Sequence, residues 1–196
     1  MSIPAAEIEA LLESVGAIRH GHFQLSSGLH SATYVQCALV LQFPHHAERL
    51  GRALAAALGD VGAEVVVSPA LGGVILGHEV ARALGCRALF VERDRTGAMV
   101  LRRGFALRAG ERVVVVEDVW TTGGSTREAM RVVEAAGARV VAAGALVDRG
   151  EGFVAELRSV LPARALLELS IPSYRPDECP LCRTGLPVEK PGSRRG

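Results

Sequence analysis

Short runs that are apolar at almost every residue recur along the chain, with helix-like segments of about a dozen residues between most of them. Strands covered by helices on both faces are apolar throughout, whereas a strand with one face in water alternates apolar and polar residues. The pattern therefore predicts an α/β fold with a mostly parallel five-stranded sheet and flanking helices. The predicted strands cover residues 64–68, 87–92, 113–117, 139–147 and 164–169.

The segments around these runs predict the remaining organisation of the chain. Apolar spacing typical of helices predicts helices at residues 4–15, 44–58, 74–84 and 126–136. Residues 22–36 predict two short strands around the turn at 27–30, which would form a small hood within residues 1–40. Residues 172–196 are rich in Pro, Gly and Arg and predict an extended surface tail. We expect a single domain over residues 1–196.

Composition excludes several classes of function. The formal net charge is +1, so no overall field favours nucleic acid or membrane as a partner. No apolar stretch reaches the roughly 18 residues that a membrane-spanning helix needs, and the N-terminal segment lacks the features of a secretory signal. Four scattered cysteines suit a reducing compartment, so we expect a cytoplasmic protein.

Lys190 is the only lysine, and all other basic residues are arginine. Cationic side chains in a site must therefore be arginines, which bind phosphate and carboxylate groups through paired hydrogen bonds.

The strongest functional signal lies in residues 113–125, where a buried strand meets two acids and a loop of hydroxyls and glycines. Glu117 and Asp118 follow the valines, and Thr121-Thr-Gly-Gly-Ser125 precedes a predicted helix. Glycines let backbone amides approach a ligand closely, and a helix N-terminus carries free N–H groups and partial positive charge. The arrangement predicts a phosphate site at the carboxyl end of a parallel strand.

The two acids indicate that the ligand is more than a phosphate, because carboxylates repel phosphate. Carboxylates accept hydrogen bonds from a ribose diol and also bind Mg²⁺. A sugar phosphate with a second, metal-bound phosphate group satisfies both requirements. The alternative is that these residues form only a strand, a generic turn and an N-capped helix, and bind no ligand. The Walker A and dinucleotide-binding patterns are both absent.

Residues 117–125 resemble the signature of the type I phosphoribosyltransferases, which use phosphoribosyl pyrophosphate (PRPP). Within that family the chain is most similar to the orotate-specific branch, and four further segments carry that resemblance. They are the hairpin 23–34, the loop Ser68-Pro-Ala-Leu-Gly-Gly73, the segment Leu101-Arg-Arg-Gly-Phe105, and Ala145-Leu-Val-Asp-Arg149.

The resemblance implies a role for each matching residue. Glu117 and Asp118 would bind the ribose hydroxyls, and the amides and hydroxyls of residues 121–125 would hold the 5-phosphate. Backbone groups of the loop 70–72 would bind pyrophosphate, and Thr121 and Arg149 would contact orotate. Mg²⁺ would accompany PRPP, and a homodimer is implied. The PRPP-binding set is Ala70, Leu71, Gly72, Glu117, Asp118, Val119, Trp120, Thr121, Thr122, Gly123, Gly124 and Ser125.

The chain departs from the family in its loop lysines. Ser26 and Gly72 stand at or near positions where lysine is common, and the segment 92–103 has neither lysine nor histidine. Arginines 93, 95, 102 and 103 are the cations available there. We expect Arg93 to contact pyrophosphate, within an exposed segment 93–103 that moves over the site during turnover and turns at 94–97.

The resemblance implies transfer of a phosphoribosyl group from PRPP to orotate, giving orotidine 5′-phosphate and pyrophosphate. Two alternatives remain open. One is a phosphoribosyltransferase for another base such as a purine, which has no carboxylate to pair with Arg149. The other is a regulator that senses PRPP without catalysis, although no DNA-binding segment supports it.

Cys179-Pro-Leu-Cys182 has the spacing of metal ligands, but a zinc site needs four ligands. Cys37 and Cys86 look like small core residues, and the histidines at 20 and 22 look like ordinary hairpin residues. We therefore expect an ordinary C-terminal turn at 179–182, with no metal there that activity requires.

Overall fold

A six-stranded sheet forms the centre of the structure, a computed structural model that describes residues 3–25, 27–150 and 152–191. The helices are α1 (Ala5–Ser14), α2 (Ala38–Leu41), α3 (Pro44–Leu58), α4 (Gly72–Leu84), α5 (Gly124–Ala135), α6 (Phe153–Arg158) and α7 (Pro180–Arg183). The strands are β1 (Ile18–Gln24), β2 (His30–Val35), β3 (Val65–Pro69), β4 (Arg87–Arg93), β5 (Met99–Leu101), β6 (Arg112–Trp120), β7 (Arg139–Asp148), β8 (Ala163–Glu168) and β9 (Ser173–Tyr174).

Five strands of the central sheet are parallel, as the apolar runs predict. The order across the sheet is β5-β4-β3-β6-β7-β8, and β5 pairs antiparallel with β4. The sheet therefore has one strand more than the five that the sequence predicts. The additional strand lies inside the segment 93–103, whose mostly polar composition indicates a loop.

Both faces of the sheet are buried, and this explains the continuous apolar runs. Val114 and Val116 face a core shared with α1, α3 and α4. Val113 and Val115 face a second core formed with α5. A third cluster contains Trp120, Phe153 and Leu157, and packs α6 against β7 and β8.

The chain reverses its direction of winding between β3 and β6. From β3 the chain goes to β4 on one side, then crosses back to β6 on the other side. Ligands of open α/β sheets bind in the crevice that such a reversal leaves at the carboxyl ends of the strands. The loop 70–72 and residues 117–125 both lie at this crevice, because they end β3 and β6 respectively.

The hood is a second, antiparallel sheet that uses residues from both ends of the chain. β1 pairs with β2, and β2 pairs with β9 from the tail. Further along the tail, the Glu189 N–H donates to the His22 carbonyl at 2.8 Å, and the Gln24 N–H donates to the Glu189 carbonyl at 2.8 Å. The hood thus extends beyond residues 1–40, and residues 172–191 are paired and partly helical where the sequence predicts an extended tail.

The segment 93–103 is more ordered than its composition indicates. The turn at 94–97 forms as predicted, with the Gly97 N–H donating to the Asp94 carbonyl at 3.1 Å. Met99 on β5 is buried in the core next to α5. Arg103 pairs with Glu92 at 3.0 Å, which offsets the mutual repulsion expected among the arginines. The prediction that this segment has no place in the core was wrong for β5.

No helix in the described ranges is long and apolar enough to cross a membrane.

Helix α4 lies unusually close to β3, because Gly77 has no side chain. A Cβ built at Gly77 would lie 1.9 Å from the Ser68 Oγ and 3.1 Å from the Ser68 Cβ. The Ser68 side chain is buried, and within the described ranges its Oγ has no hydrogen-bond partner. This contact sets the distance of α4, and hence of the loop at its N-terminus, from the sheet.

We predict that Gly77→Ala lowers the free energy of unfolding by about 1–3 kcal/mol, although alanine favours helices, because the core is overpacked. Ser68→Ala alone should change stability little. The double variant should regain part of the loss, because the closest clash disappears. Denaturant unfolding of the three variants measures this, and strictly additive effects would contradict the proposed contact.

Candidate functional site

Glu117 and Asp118 lie near the end of β6, which continues for two residues beyond them to Trp120. The Glu117 carboxylate accepts a hydrogen bond from the hydroxyl of Thr126, a buried residue on the first turn of α5. The Trp120 Nε1–H donates to the same hydroxyl at 3.0 Å. This relay fixes one face of Glu117 from within the core, and the sequence analysis missed Thr126 because it is one of several hydroxyls near the loop.

Both carboxyl groups are held in surroundings that disfavour their charge. Burial raises the pKa of Glu117 to about 7, and the charge of Asp118 adds to this, while hydrogen bonds from Thr126 and Ser125 oppose it. Burial also raises the pKa of Asp118, against the hydrogen bonds of backbone N–H groups at 118 and 119. A ligand that brings hydrogen-bond donors or a cation would stabilise the ionised forms.

The loop between β3 and α4 approaches Asp118 so closely that any side chain at position 72 would displace the Asp118 carboxylate. A Cβ on Gly72 would lie 2.6 Å from the Asp118 Oδ1, and a Cβ on Gly73 would lie 2.9 Å from the Val116 carbonyl oxygen. The Ala70–Leu71 peptide bond is cis, and the Leu71 side chain is 89% exposed. Backbone groups of residues 70–72 thus border the carboxylates. Ser26, which stands where lysine is common in the family, lies outside the described residues.

The loop 121–125 forms one wall of a cavity of about 180 Å³. Gly123 has φ +74°, and a Cβ there would meet the ring of Phe153 at 2.3 Å. Helix α5 begins at Gly124, two residues earlier than predicted, so its first free N–H groups belong to the loop itself. The cavity is lined by Arg93, Glu117, Val119, Thr121, Thr122, Gly123, Gly124, Ser125 and Glu128.

Arg93 lies at the rim of this cavity, at the end of β4. Its guanidinium pairs with Glu128 of α5 at 2.9 Å and donates to the Gly97 carbonyl at 2.6 Å. A cation and the N-terminus of α5 thus line one cavity, which suits an anion.

Trp120 and Val119 differ in what they present to the site. The Trp120 side chain is fully buried, with its ring edge-on to Phe153 at 5.5 Å. Arg127 lies 4.5 Å from the centre of the Phe153 ring, on the side of α5. Phe153 therefore supports the loop from behind, a role that the sequence analysis did not assign. Val119 is half-buried and lines the cavity.

Arg149 follows the end of β7 and is 8% exposed. Its backbone N–H donates to the Trp120 carbonyl at 2.9 Å, and Trp120 and Asp148 are partners in the sheet. Thr121 and Arg149 therefore directly follow Trp120 and Asp148, which are paired on the neighbouring strands β6 and β7. Gly150, the residue after Arg149, lines a cavity of about 360 Å³ together with Leu29 of the hood turn and residues 170–173.

A larger cavity, of about 930 Å³, lies elsewhere, between α1, α3 and α4. It borders Gly59 and Leu84, which precede the amino ends of β3 and β4, and several charged side chains line it. The predicted site residues lie at the opposite, carboxyl ends of the strands, where ligands of open α/β sheets bind.

Comparisons with known proteins agree with this geometry. A family model described as "Phosphoribosyl transferase domain" matches residues 44–160. The chain is 53% identical to an orotate phosphoribosyltransferase of Pelotomaculum thermopropionicum, across 96% of this chain and 97% of that one. It is 50% identical to the enzyme of that name from Thermotoga maritima, across 95% and 98%.

Solved structures give the same result. The orotate phosphoribosyltransferase of Mycobacterium tuberculosis H37Rv, in complex with Fe(III) dicitrate, aligns with a TM-score of 0.72 at 29% identity, covering 85% of this chain and 96% of that one. With the family model, the full-length relatives and the shared fold in agreement, the chain belongs to the orotate phosphoribosyltransferases of the phosphoribosyl transferase family.

Proposed function

We propose that this chain transfers the phosphoribosyl group of PRPP to orotate, giving orotidine 5′-phosphate and pyrophosphate in pyrimidine biosynthesis. The observation that carries the proposal is the meeting of three parts at one crevice. Two half-buried carboxylates, a cavity lined by the loop 121–125 and the glycine loop at 70–73 lie together where β3 and β6 end. These parts match the ribose, the 5-phosphate and the pyrophosphate of one PRPP molecule.

Each part of PRPP has a proposed partner. Glu117 and Asp118 accept hydrogen bonds from the ribose hydroxyls, and residues 121–125 bind the 5-phosphate through backbone N–H groups and hydroxyls. Val119 lines that cavity, whereas Trp120 contributes by holding Thr126 and the end of β6. Backbone groups of Ala70, Leu71 and Gly72 bind the pyrophosphate.

Mg²⁺ is the expected cofactor, and the site fits a cation. Glu117 and Asp118 offer carboxylate oxygens, the ligands that Mg²⁺ prefers, and their burial disfavours charge that is not compensated. When bound with PRPP, the ion would neutralise charge on the pyrophosphate. We propose that the ion contacts PRPP mainly, with the two carboxylates holding the hydroxyls beside it.

The base is proposed to bind between the hood and Arg149. Orotate carries a carboxylate, which a guanidinium binds through two parallel hydrogen bonds. The cavity beside Arg149 is lined by Leu29 and residues 170–173, and Thr121 follows Trp120, the strand partner of Asp148. A purine offers no carboxylate, so this arrangement favours orotate over the alternative bases.

Catalysis in this proposal is positioning and charge stabilisation. The ribose C1 gains oxocarbenium character as pyrophosphate leaves, and the base nitrogen attacks in line. Arg93 is proposed to stabilise the anionic end of PRPP. It is paired with Glu128 in the structure, so binding would require the guanidinium to exchange this partner or share it. The homodimer, movement of residues 93–103, a cytoplasmic location and the absence of a nucleic-acid partner stay predictions.

The proposed base specificity predicts PRPP-dependent loss of orotate absorbance by the purified chain with Mg²⁺. Adenine, hypoxanthine and uracil, assayed in parallel, should react at least about a hundredfold more slowly, because they carry no carboxylate that the Arg149 guanidinium could bind. Arg149→Ala should raise the KM for orotate and leave PRPP affinity almost unchanged. Equal turnover of a purine would favour the purine enzyme, and PRPP binding without any turnover would favour the regulator.

The proposed ribose contact predicts a large effect of Asp118→Asn. An amide accepts hydrogen bonds less strongly than a carboxylate, so we expect a loss of about 2–4 kcal/mol in transition-state stabilisation. Steady-state kinetics with PRPP as the varied substrate measures the loss, while thermal unfolding checks the fold. Asp60→Asn, at an exposed position after α3, is the matched control and should behave like the parent chain. Unchanged kinetics of Asp118→Asn would remove this residue from the site.

The burial of Glu117 predicts a pH-dependent stability of the ligand-free protein. The folded state holds this pKa at about 7, against an ordinary value of 4.5, so between these values the folded state binds more protons than the unfolded state. The stabilisation that the folded state gains from binding this proton more tightly is fully present below pH 4.5 and is lost as the pH rises through about 7.

Glu117→Gln removes this titration. Its stability relative to the parent chain should therefore rise by up to about 3 kcal/mol between those two pH values. Urea unfolding across this range measures the difference, and parallel stability curves for the two proteins would show that Glu117 titrates normally.

A further inference from the structure

Four side chains that commonly bind metals meet where the tail crosses the hood. His22 lies on β1, His30 begins β2, Cys179 precedes α7 and Cys182 lies within it. One ligand atom from each residue lies within 4.8 Å of the other three. His22, His30 and Cys179 are buried, and Cys182 is exposed. The structure thus places His22, which looks like an ordinary hairpin residue in the sequence, against the Cys-x-x-Cys segment.

The nitrogen–sulfur separations are close to the edges of a tetrahedral zinc site, and the two nitrogens would have to move slightly apart to bind one ion. The His22 Nε2 and the His30 Nδ1 are 2.9 Å apart, and the Cys182 Sγ lies 3.3 Å from the His30 Nδ1. Both sulfurs lie 3.6 Å from the His22 Nε2. Zinc bonds of about 2.1 Å to nitrogen and 2.3 Å to sulfur place neighbouring N and S ligands about 3.5 Å apart.

His22 is also oriented as a metal ligand. Its Nδ1 lies 2.7 Å from the Leu186 carbonyl oxygen, which can only accept a hydrogen bond. The Nδ1 therefore carries the proton, and the Nε2 directs its lone pair towards the two sulfurs and His30. A carbonyl that fixes the second ring nitrogen is the usual outer partner of a zinc-bound histidine.

We propose that His22, His30, Cys179 and Cys182 bind one structural Zn²⁺ ion. Two thiolates and two imidazoles complete a tetrahedron and leave no open position for a substrate or water. The soft ligands favour zinc over Mg²⁺, so this site is separate from any ion that accompanies PRPP. It replaces our expectation of an ordinary turn at 179–182.

The ion would have a structural role, because the strand pairing between the hood and the described part of the tail, residues 172–191, is short. β9 contributes two residues to the hood sheet, and Glu189 adds one pair of hydrogen bonds to β1 and an ion pair with Arg19 at 2.7 Å. Leu29, which lines the cavity beside Arg149, directly precedes His30. Zinc thus fastens the tail to the hairpin and fixes the turn that closes this cavity.

Metal analysis of the full chain, purified without chelators or an affinity tag, tests the proposal. We expect elemental mass spectrometry to find about one zinc ion per chain. Cys182→Ala should bind zinc at least tenfold more weakly in competition with a chromophoric chelator. Since Cys182 is exposed, this variant loses little packing. Cys86→Ala, a half-buried cysteine outside the cluster, is the control and should retain the ion.

Co²⁺ exchanged into the wild-type chain gives a second readout that does not depend on a variant. We expect intense visible bands of tetrahedral cobalt with thiolate charge transfer, unchanged in Cys86→Ala. Removing zinc from the wild-type chain should lower its Tm by about 5 °C or more. The same treatment should change the Tm of Cys182→Ala little, because this variant binds zinc weakly. A wild-type chain that binds neither metal, or a disulfide between Cys179 and Cys182 in the native protein, would overturn the proposal. These readouts are independent of transferase activity.

Discussion

Adjacent carboxyl groups at the end of a buried strand lose hydration and repel each other, and hydrogen bonds from the residues around β6 compensate this loss in part. Thr126 and Trp120 hold Glu117 from the core, and backbone N–H groups hold Asp118. Gly72 permits the neighbouring loop to approach Asp118 without a side chain between them. The crossover between β3 and β6 brings that loop there. The protein meets this electrostatic demand only in part, because burial still raises the pKa of both carboxyl groups, and a ligand with donors or a cation would complete the compensation.

Most of the central sheet could be predicted from local patterns. The five parallel strands follow from runs such as 113–117, because a strand buried on both faces must be apolar throughout. Helix α3 has the predicted bounds, since Pro44 begins it and Gly59, with φ +73°, ends it. The acids and the glycine loop could be assigned to one crevice because the carboxyl ends of parallel strands share one edge.

The remaining features depend on contacts between distant residues. β5 has only three residues, so its pairing with β4 leaves little local signal. His22 and Phe23 are both buried, because the register of β1 shifts between His20 and Phe23, and no alternating pattern indicates this. The pairing of His22 with Cys179 spans 157 residues, so each half of the cluster looks incomplete alone.

The hood sheet joins strands from opposite ends of the chain, and this imposes an order on biosynthesis. Residues 65–168, which form the central sheet, leave the ribosome before β9 and the cysteines at 179 and 182. β1 and β2 are synthesised first, but β2 cannot pair with β9 until β9 has been synthesised. A nascent chain can therefore assemble the crevice that holds the carboxylates while the cavity beside Arg149 still lacks its wall. Protein made short of residue 173 would stop at that stage, with its sheet folded and its hood open.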